Sequence, residues 1–91
     1  MGERRTTPGP VTPAAAIPPQ VVELEGLTIE VRSVVFDDGH GGSRYGATLT
    51  ARERPGEHAV IDAFSLEELQ ALIAAALPAF AAAVSLRARR R

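Results

Sequence analysis

The chain has 91 residues, a formal net charge of −1, and neither cysteine nor lysine. A chain of this length forms one small domain, and the lack of cysteine excludes disulfides and thiolate metal sites as supports for its core. Oligomerisation is the remaining common way to stabilise so small a core. The charge is uneven, because residues 21–86 carry ten of the eleven acids against four arginines, whereas residues 87–91 carry four arginines. We therefore divide the chain into an extended arm (residues 1–20), an acidic body (residues 21–86) and a basic tail (residues 87–91).

The arm holds five of the seven prolines of the chain. Each proline removes a backbone donor and favours extended geometry in the residue before it. We expect a polyproline-like or disordered segment that adds little to the stability of the body and lies against a neighbouring protein in an assembly. The arm lacks the apolar stretch that is typical of a secretory signal.

Residues 21–64 predict three or four antiparallel strands, because apolar and polar side chains alternate along them. In the longest of these segments, the odd-numbered residues from Leu27 to Val35 share one face. The loop Asp37–Arg44 is rich in glycine and aspartate, and Arg54–Glu57 has proline and glycine where a type II turn favours them. The predicted strands are residues 27–36, 45–52 and 58–64, with Val21–Glu25 as a further edge strand.

A helix is predicted to begin at Ser65. Ser65 and Glu68 have the spacing of a capping box, and Phe64 with Leu69 fits the hydrophobic staple that often accompanies it. An apolar stripe follows at spacings of three and four residues, which is the pattern of a helix that packs on one side. The stripe consists of Leu66, Leu69, Ile73, Leu77, Phe80 and Val84.

Pro78 lies inside this helical pattern. We expect it to bend the helix or to end it near Leu77, because proline removes a backbone donor and crowds the preceding turn. The order of elements predicts an α+β fold: a small antiparallel meander of three to four strands followed by one C-terminal helix, with an extended proline-rich N-terminal arm. This layout is similar, in the order and length of its elements only, to small dimeric α+β modules such as HicB-type antitoxins. No site residue follows from that similarity.

The helix is unusually apolar, with no polar side chain in the 14 residues from Ala71 to Val84. A helix that is apolar all round is covered all round, yet one small sheet covers only one side of it. A second stripe of mostly small side chains lies beside the first and would let another helix approach closely. The alternative is that alanine serves only as the best helix former on a solvated face. We predict a contact surface made of Leu72, Ala76, Ala79, Phe80 and Ala83.

The basic tail supplies candidate contacts to nucleic acid, since each arginine–phosphate contact adds salt-dependent affinity. These candidates are Arg87, Arg89, Arg90 and Arg91. The alternative is a solvated tail that complements the helix dipole. The neighbouring body is acidic and has only one tyrosine and three phenylalanines, so the sequence shows no evident platform for stacking bases.

Asp37, Asp38 and His40 form the one cluster that resembles a set of metal ligands. A calcium loop needs more oxygens at fixed spacing, and a zinc site would lack two ligands. The glycines beside them join two strands, whereas a phosphate cradle normally precedes a helix. His58 has no nucleophile placed near it in the sequence. We predict no catalytic residue, no metal and no cofactor.

These features predict a non-enzymatic interaction or assembly protein whose partners are a second copy of itself and another protein. The abundance of alanine, glycine, proline and arginine is typical of GC-rich genomes such as those of actinobacteria and their phages. Accessory proteins of phages and other large particles have a similar arm and body, which is an analogy of organisation. The alternative is a small, antitoxin-like nucleic-acid-binding regulator that uses the tail arginines.

A third hypothesis is attachment of the apolar helix and basic tail to an anionic membrane surface. The run of 14 apolar residues is shorter than the roughly 20 that a membrane-spanning helix needs, so no membrane span is predicted. We expect a soluble protein of the cytoplasm, or one within a particle assembled there.

Overall fold

The computed structural model describes residues 15–89, so the arm before Ala15 and the tail residues Arg90 and Arg91 lie outside the described part. The described residues form a four-stranded antiparallel sheet in the order β1-β2-β3-β4, followed by one helix. The predicted meander with a C-terminal helix is confirmed, and the additional edge strand is present. The elements are β1 (Gln20–Leu24), β2 (Leu27–Asp37), β3 (Ser43–Ala51), β4 (Arg54–Ala63) and α1 (Leu66–Arg89).

The core lies between one face of the sheet and α1, which packs mainly on β3 and β4. The alternation predicted for β2 is confirmed, because Ile29 and Val31 are buried while Arg32 between Val31 and Ser33 is exposed. Burial of these large side chains removes apolar surface from water and supplies the main driving force for the fold. The buried apolar residues are Leu27, Ile29, Val31, Ala47, Leu49, Ala51, Ile61, Ala63, Leu69, Ile73, Phe80, Ala81 and Val84.

A two-residue turn joins β1 to β2. Its central residues, Glu25 and Gly26, have φ angles of 54° and 75°. Positive φ at both positions is the geometry of a type I′ turn, whose twist matches that of a hairpin. Glycine adopts this geometry freely, whereas Glu25 does so at a conformational cost. The turn fixes the register in which Leu24 pairs with Leu27.

The turn predicted at Arg54–Glu57 is wrong. The chain reverses at Arg52 and Glu53 instead, and Arg54 already pairs with Ala51 in the sheet. A register shift follows, because the next pair joins Thr50 to His58. The proline and glycine after Arg54 therefore lie in a bulge within β4, where an unpaired proline is tolerated.

Contacts with β2 stabilise this early reversal. The backbone N–H of Thr28 donates to the Glu53 carboxylate at 2.9 Å, and the N–H of Arg52 donates to the Thr28 carbonyl at 2.8 Å. The backbone amide of Thr28 holds the pKa of Glu53 below its ordinary value. Both bonds join residues far apart in the sequence, so local turn preferences could not reveal them.

The beginning of α1 agrees with the predicted cap. The N–H of Glu68 donates to Ser65 Oγ at 3.0 Å, and the Glu68 carboxylate accepts a hydrogen bond from the N–H of Phe64 at 2.8 Å. These bonds satisfy donors that a helix start leaves unpaired. The predicted hydrophobic staple is absent, because the side chain of Phe64 is 74% exposed whereas Leu69 is fully buried.

Pro78 does not end the helix, which continues without interruption to Arg89. Proline in a helix interior costs about 3 kcal/mol, because it removes one hydrogen bond and crowds the preceding turn. Core contacts on both sides of Pro78 offset this cost, since Ile73 lies before it, and Phe80 and Val84 lie after it, all buried against the sheet. The expectation that the helix ends near Leu77 is therefore wrong.

The end of the arm belongs to the body. Ser33, which is buried on β2, accepts a hydrogen bond from the Ile17 N–H at 2.9 Å and donates one to the Ile17 carbonyl at 3.2 Å. Ala16 and Ile17 also pack against the core. We expected the arm to add little to the stability of the body, but this contact joins its last residues to the body. The contact could not be read from the sequence, because it spans sixteen residues.

Candidate interaction surface

The side of α1 that faces away from the sheet is apolar along most of its length. Between Ala71 and Ala82 every exposed side chain is apolar, and farther along Leu86 is 51% exposed. The sheet covers only the opposite side of the helix, so no described residue covers this one. The exposed members are Ala71, Leu72, Ala74, Ala75, Pro78, Ala79 and Ala82.

The five residues predicted to form the contact surface do not all lie on this side. Leu72 and Ala79 are exposed, whereas Ala76 and Ala83 are half-buried on the flank of the helix. Phe80 is only 8% exposed and is part of the core. Including Phe80 in the surface requires correction: it follows the buried Leu69 by three full turns of a 3.6-residue helix and so points to the same side.

A line of exposed positions runs along the side of α1 opposite the sheet, at spacings of three and four residues on either side of the adjacent pair Pro78 and Ala79. Such spacing places successive residues on one side of a helix. Sequence reasoning chose a stripe next to the buried one, but the sheet is wide enough to half-bury that flank. Positions half a turn from the core stripe would have been the better choice. We call this line the outer stripe, which consists of Glu68, Ala71, Ala75, Pro78, Ala79, Ala82, Leu86 and Arg89.

The tail begins with an arginine that is held by the body. Arg87 Nε donates to Glu57 Oε1 at 2.8 Å, and this bond joins the end of α1 to β4. The Arg87 hydrogen bond lowers the pKa of Glu57, and the same bond raises the pKa of Arg87. Arg89 is exposed on the last turn, while Arg90 and Arg91 lie outside the described residues. Arg87 is thus less available to a phosphate than the sequence indicates.

The carboxylates of the loop between β2 and β3 act as local backbone acceptors. Asp38 Oδ1 accepts from the N–H groups of His40 at 2.7 Å and Gly42 at 3.0 Å, and Asp37 accepts from Gly39 at 2.8 Å. The His40 amide is the main reason why the pKa of Asp38 lies below its ordinary value. The loop carboxylates therefore stabilise the turn. Among residues 15–89, no group of three or more histidine, aspartate and glutamate side chains is placed to hold a metal ion.

The face of the sheet opposite α1 carries a second apolar surface that sequence reasoning missed. Val60 is 68% exposed and Phe64 is 74% exposed, and the Arg44 guanidinium lies 4.7 Å from the centre of the Phe64 ring. Pairing of Tyr45 with Ala63 brings these distant residues together. A cation above an aromatic face is attracted by the ring quadrupole. The signal in the sequence was the apolar character of Val60 on β4 and of Phe64 directly after it, both exposed to solvent.

A groove of about 280 Å³ lies between the arm residues Ile17–Gln20 and the helix residues Gln70–Leu77. Within residues 15–89, its lining is aliphatic apart from two glutamines and has no ionisable side chain. General acid–base catalysis needs a titratable group within reach of a bound substrate. The described lining therefore supplies shape and apolar contact but no titratable group.

By length and composition alone, α1 is apolar enough to cross a membrane, with a mean hydropathy of 2.0 over its most apolar 18-residue window. Core helices of small domains also have this character. In this fold Leu69, Ile73 and Val84 are buried against the sheet, and crossing a membrane would strip the sheet of its cover. The apolar character of α1 is thus divided between the core and the uncovered outer side.

Comparisons with protein-family models, with curated proteins and with solved structures find no match for this chain.

Proposed function

We propose that this protein is a non-enzymatic interaction protein that assembles with a second copy of itself through the outer side of α1. The observation that carries the proposal is the absence of any polar side chain among the exposed positions between Ala71 and Ala82. Single exposed apolar residues are normal on a protein surface, whereas a contiguous apolar patch marks a contact site. Here the patch extends over three turns of one helix.

The size of the body supports self-association. A foldable part of this length buries only about 60% of its unfolded surface and is marginally stable alone. Covering the outer side of α1 would enlarge the buried apolar surface without adding chain. The proline-rich residues before Ala15 would then contact a neighbouring protein, because prolines favour an extended chain that a partner can hold.

The charge of the body argues against nucleic acid as the main partner. Residues 21–86 carry ten acids and four arginines, and Arg87 already bonds to Glu57. A surface of like charge repels phosphates and lowers both the rate and the affinity of binding.

The test is the mass of the full chain in solution at micromolar concentration, measured by sedimentation velocity. We expect a dimer for the wild type and a monomer for Ala79→Glu, because an unpaired charge in the contact should raise the dissociation constant more than about a hundredfold. Glutamate keeps a high helix propensity, so the helix itself should persist. Val60→Glu on the opposite sheet face is the matched control and should remain a dimer.

A wild-type monomer, or a dimer that Val60→Glu disrupts and Ala79→Glu does not, would overturn the proposal. Sedimentation with vesicles of phosphatidylserine and phosphatidylcholine is a second readout. If the wild type is a monomer that binds these vesicles through α1, the outer side is a membrane surface and the proposal of self-assembly fails.

A further inference from the structure

We infer that two copies of α1 pair in antiparallel orientation along the outer stripe, with the two-fold axis beside the Pro78–Ala79 peptide bond. This inference rests on the proposed function and specifies its geometry. The outer stripe is symmetric about that bond. Counting outward in either direction, its exposed positions fall at spacings of three, four and three residues, ending at Glu68 on one side and Arg89 on the other.

The chemistry of the outer stripe matches this symmetry. Antiparallel pairing brings Glu68 of one copy to Arg89 of the other, so that each end of the contact joins opposite charges. Parallel pairing would place Glu68 beside Glu68 and Arg89 beside Arg89. Like charges facing each other at both ends oppose that arrangement, so the charges select one orientation and reject the other.

The apolar positions also complement one another. In the antiparallel register Leu86 lies opposite Ala71, which pairs a large side chain with a small one. Ala75 lies opposite Ala82, and the small centre lets the two helix axes approach to about 8 Å, the short end of the usual range. The contact would extend from Glu68 to Arg89, about 32 Å at 1.5 Å per residue.

Pro78 fits the centre of such a contact. It is exposed, and its compact ring adds no polar group to the contact. Because the core residues on both sides keep the helix continuous, the outer stripe remains on one side of α1 across Pro78. The register of the pair is therefore set by charged residues at the ends and small residues at the centre.

Charge reversal tests the register. We expect Arg89→Glu to raise the dissociation constant of the dimer by about tenfold or more, because two pairs of glutamates would then face each other. The double variant Glu68→Arg with Arg89→Glu should return the constant to within about threefold of the wild type, since its pairs are again opposite in charge. Arg32→Glu, an equal reversal at an exposed position of β2, is the control and should leave the dimer unchanged.

Single cysteines provide a readout that does not depend on charge, and the chain has no other cysteine. Glu68 also contributes to the helix cap, so Glu68→Arg can lower stability. The cross-linking test still decides the register in that case, because it leaves Glu68 unchanged. Ala79→Cys lies next to the two-fold axis and should form a disulfide with its own copy under mild oxidation. Ala71→Cys lies far from the axis and should cross-link at no more than about one tenth of the rate of Ala79→Cys, because a disulfide needs Cα atoms within about 7 Å.

The outcomes separate the two proposals. A wild-type monomer contradicts the proposed function and this inference together. A dimer that Ala79→Glu dissociates, but in which Ala71→Cys and Ala79→Cys cross-link equally well, keeps the proposed function and overturns the antiparallel register. The antiparallel register is also overturned if the double variant does not recover the dimer affinity that Arg89→Glu loses and Ala71→Cys cross-links as fast as Ala79→Cys.

Discussion

At the scale of single residues, several polar side chains of this protein accept hydrogen bonds from backbone N–H groups at turns and at the start of the helix. Ser65 accepts from Glu68 at the start of α1, Asp38 accepts from two amides of the loop, and Glu53 accepts from Thr28. Each bond satisfies an amide that secondary structure leaves without a partner. The polar groups that suggest a binding site in the sequence therefore form hydrogen bonds within the fold itself.

Ser65 offers a direct measurement of one such contact. Ser65→Ala should lower the free energy of unfolding by about 1 kcal/mol, because the first turn of α1 loses its acceptor. Ser65→Asp retains an acceptor at the same position and should unfold at nearly the wild-type denaturant concentration. Equal unfolding midpoints for the alanine and aspartate variants would contradict the cap as an important contact.

At the scale of elements, stability depends on how separate segments cover the inner face of the sheet. The helix lies mainly over β3 and β4, and Ile17 at the end of the arm packs near β2 through its two hydrogen bonds to Ser33. The arm thus completes a core that α1 alone leaves partly open. This arrangement separates the arm into a docked end and the preceding residues.

Two truncations test that separation. A chain beginning at Ala16 should melt at nearly the wild-type temperature, whereas a chain beginning at Gln20 should lose about 2 kcal/mol of unfolding free energy. Two net hydrogen bonds of about 1 kcal/mol each account for this estimate, and partial burial of Ile17 adds to it. Denaturant titration gives the free energy of unfolding of both chains, and equal unfolding midpoints would contradict a docked Ile17.

At the scale of the whole molecule, the charge distribution decides which partners are favoured. The body is acidic, whereas the last turn of α1 carries Arg87 and Arg89, and Arg87 is bonded to Glu57. Arg87 is thereby less available to a phosphate backbone. We therefore propose apolar contact through α1 as the stronger source of affinity.

Nucleic-acid binding provides the corresponding prediction. The full chain should show only weak binding to a generic DNA duplex at physiological salt, and fluorescence anisotropy measures this directly. If the tail gripped phosphates, replacing Arg87, Arg89, Arg90 and Arg91 by alanine would reduce the slope of log K against log salt by about 0.9 for each lost contact. Micromolar or tighter binding that disappears in the four-alanine variant would favour a nucleic-acid-binding regulator over an assembly protein.

The sequence by itself determined the elements whose signals are local and repeated. The period of two in β2 and the cap at Ser65 both follow from neighbouring residues, so they could be predicted. The apolar character of α1 was evident for the same reason. Which of its residues face outward was predicted only in part, because Phe80, which the apolar stripe placed on the packed side, was also included in the contact surface.

Only the tertiary structure decided the features that depend on distant residues. The reversal at Arg52 is held by Thr28, Ile17 is held by Ser33, and the helix passes Pro78 because the sheet packs on both of its halves. In each case a contact between segments far apart in sequence outweighs a local preference of a few kcal/mol or less. The outer stripe emerges in the same way, because the width of the sheet determines how much of α1 remains uncovered.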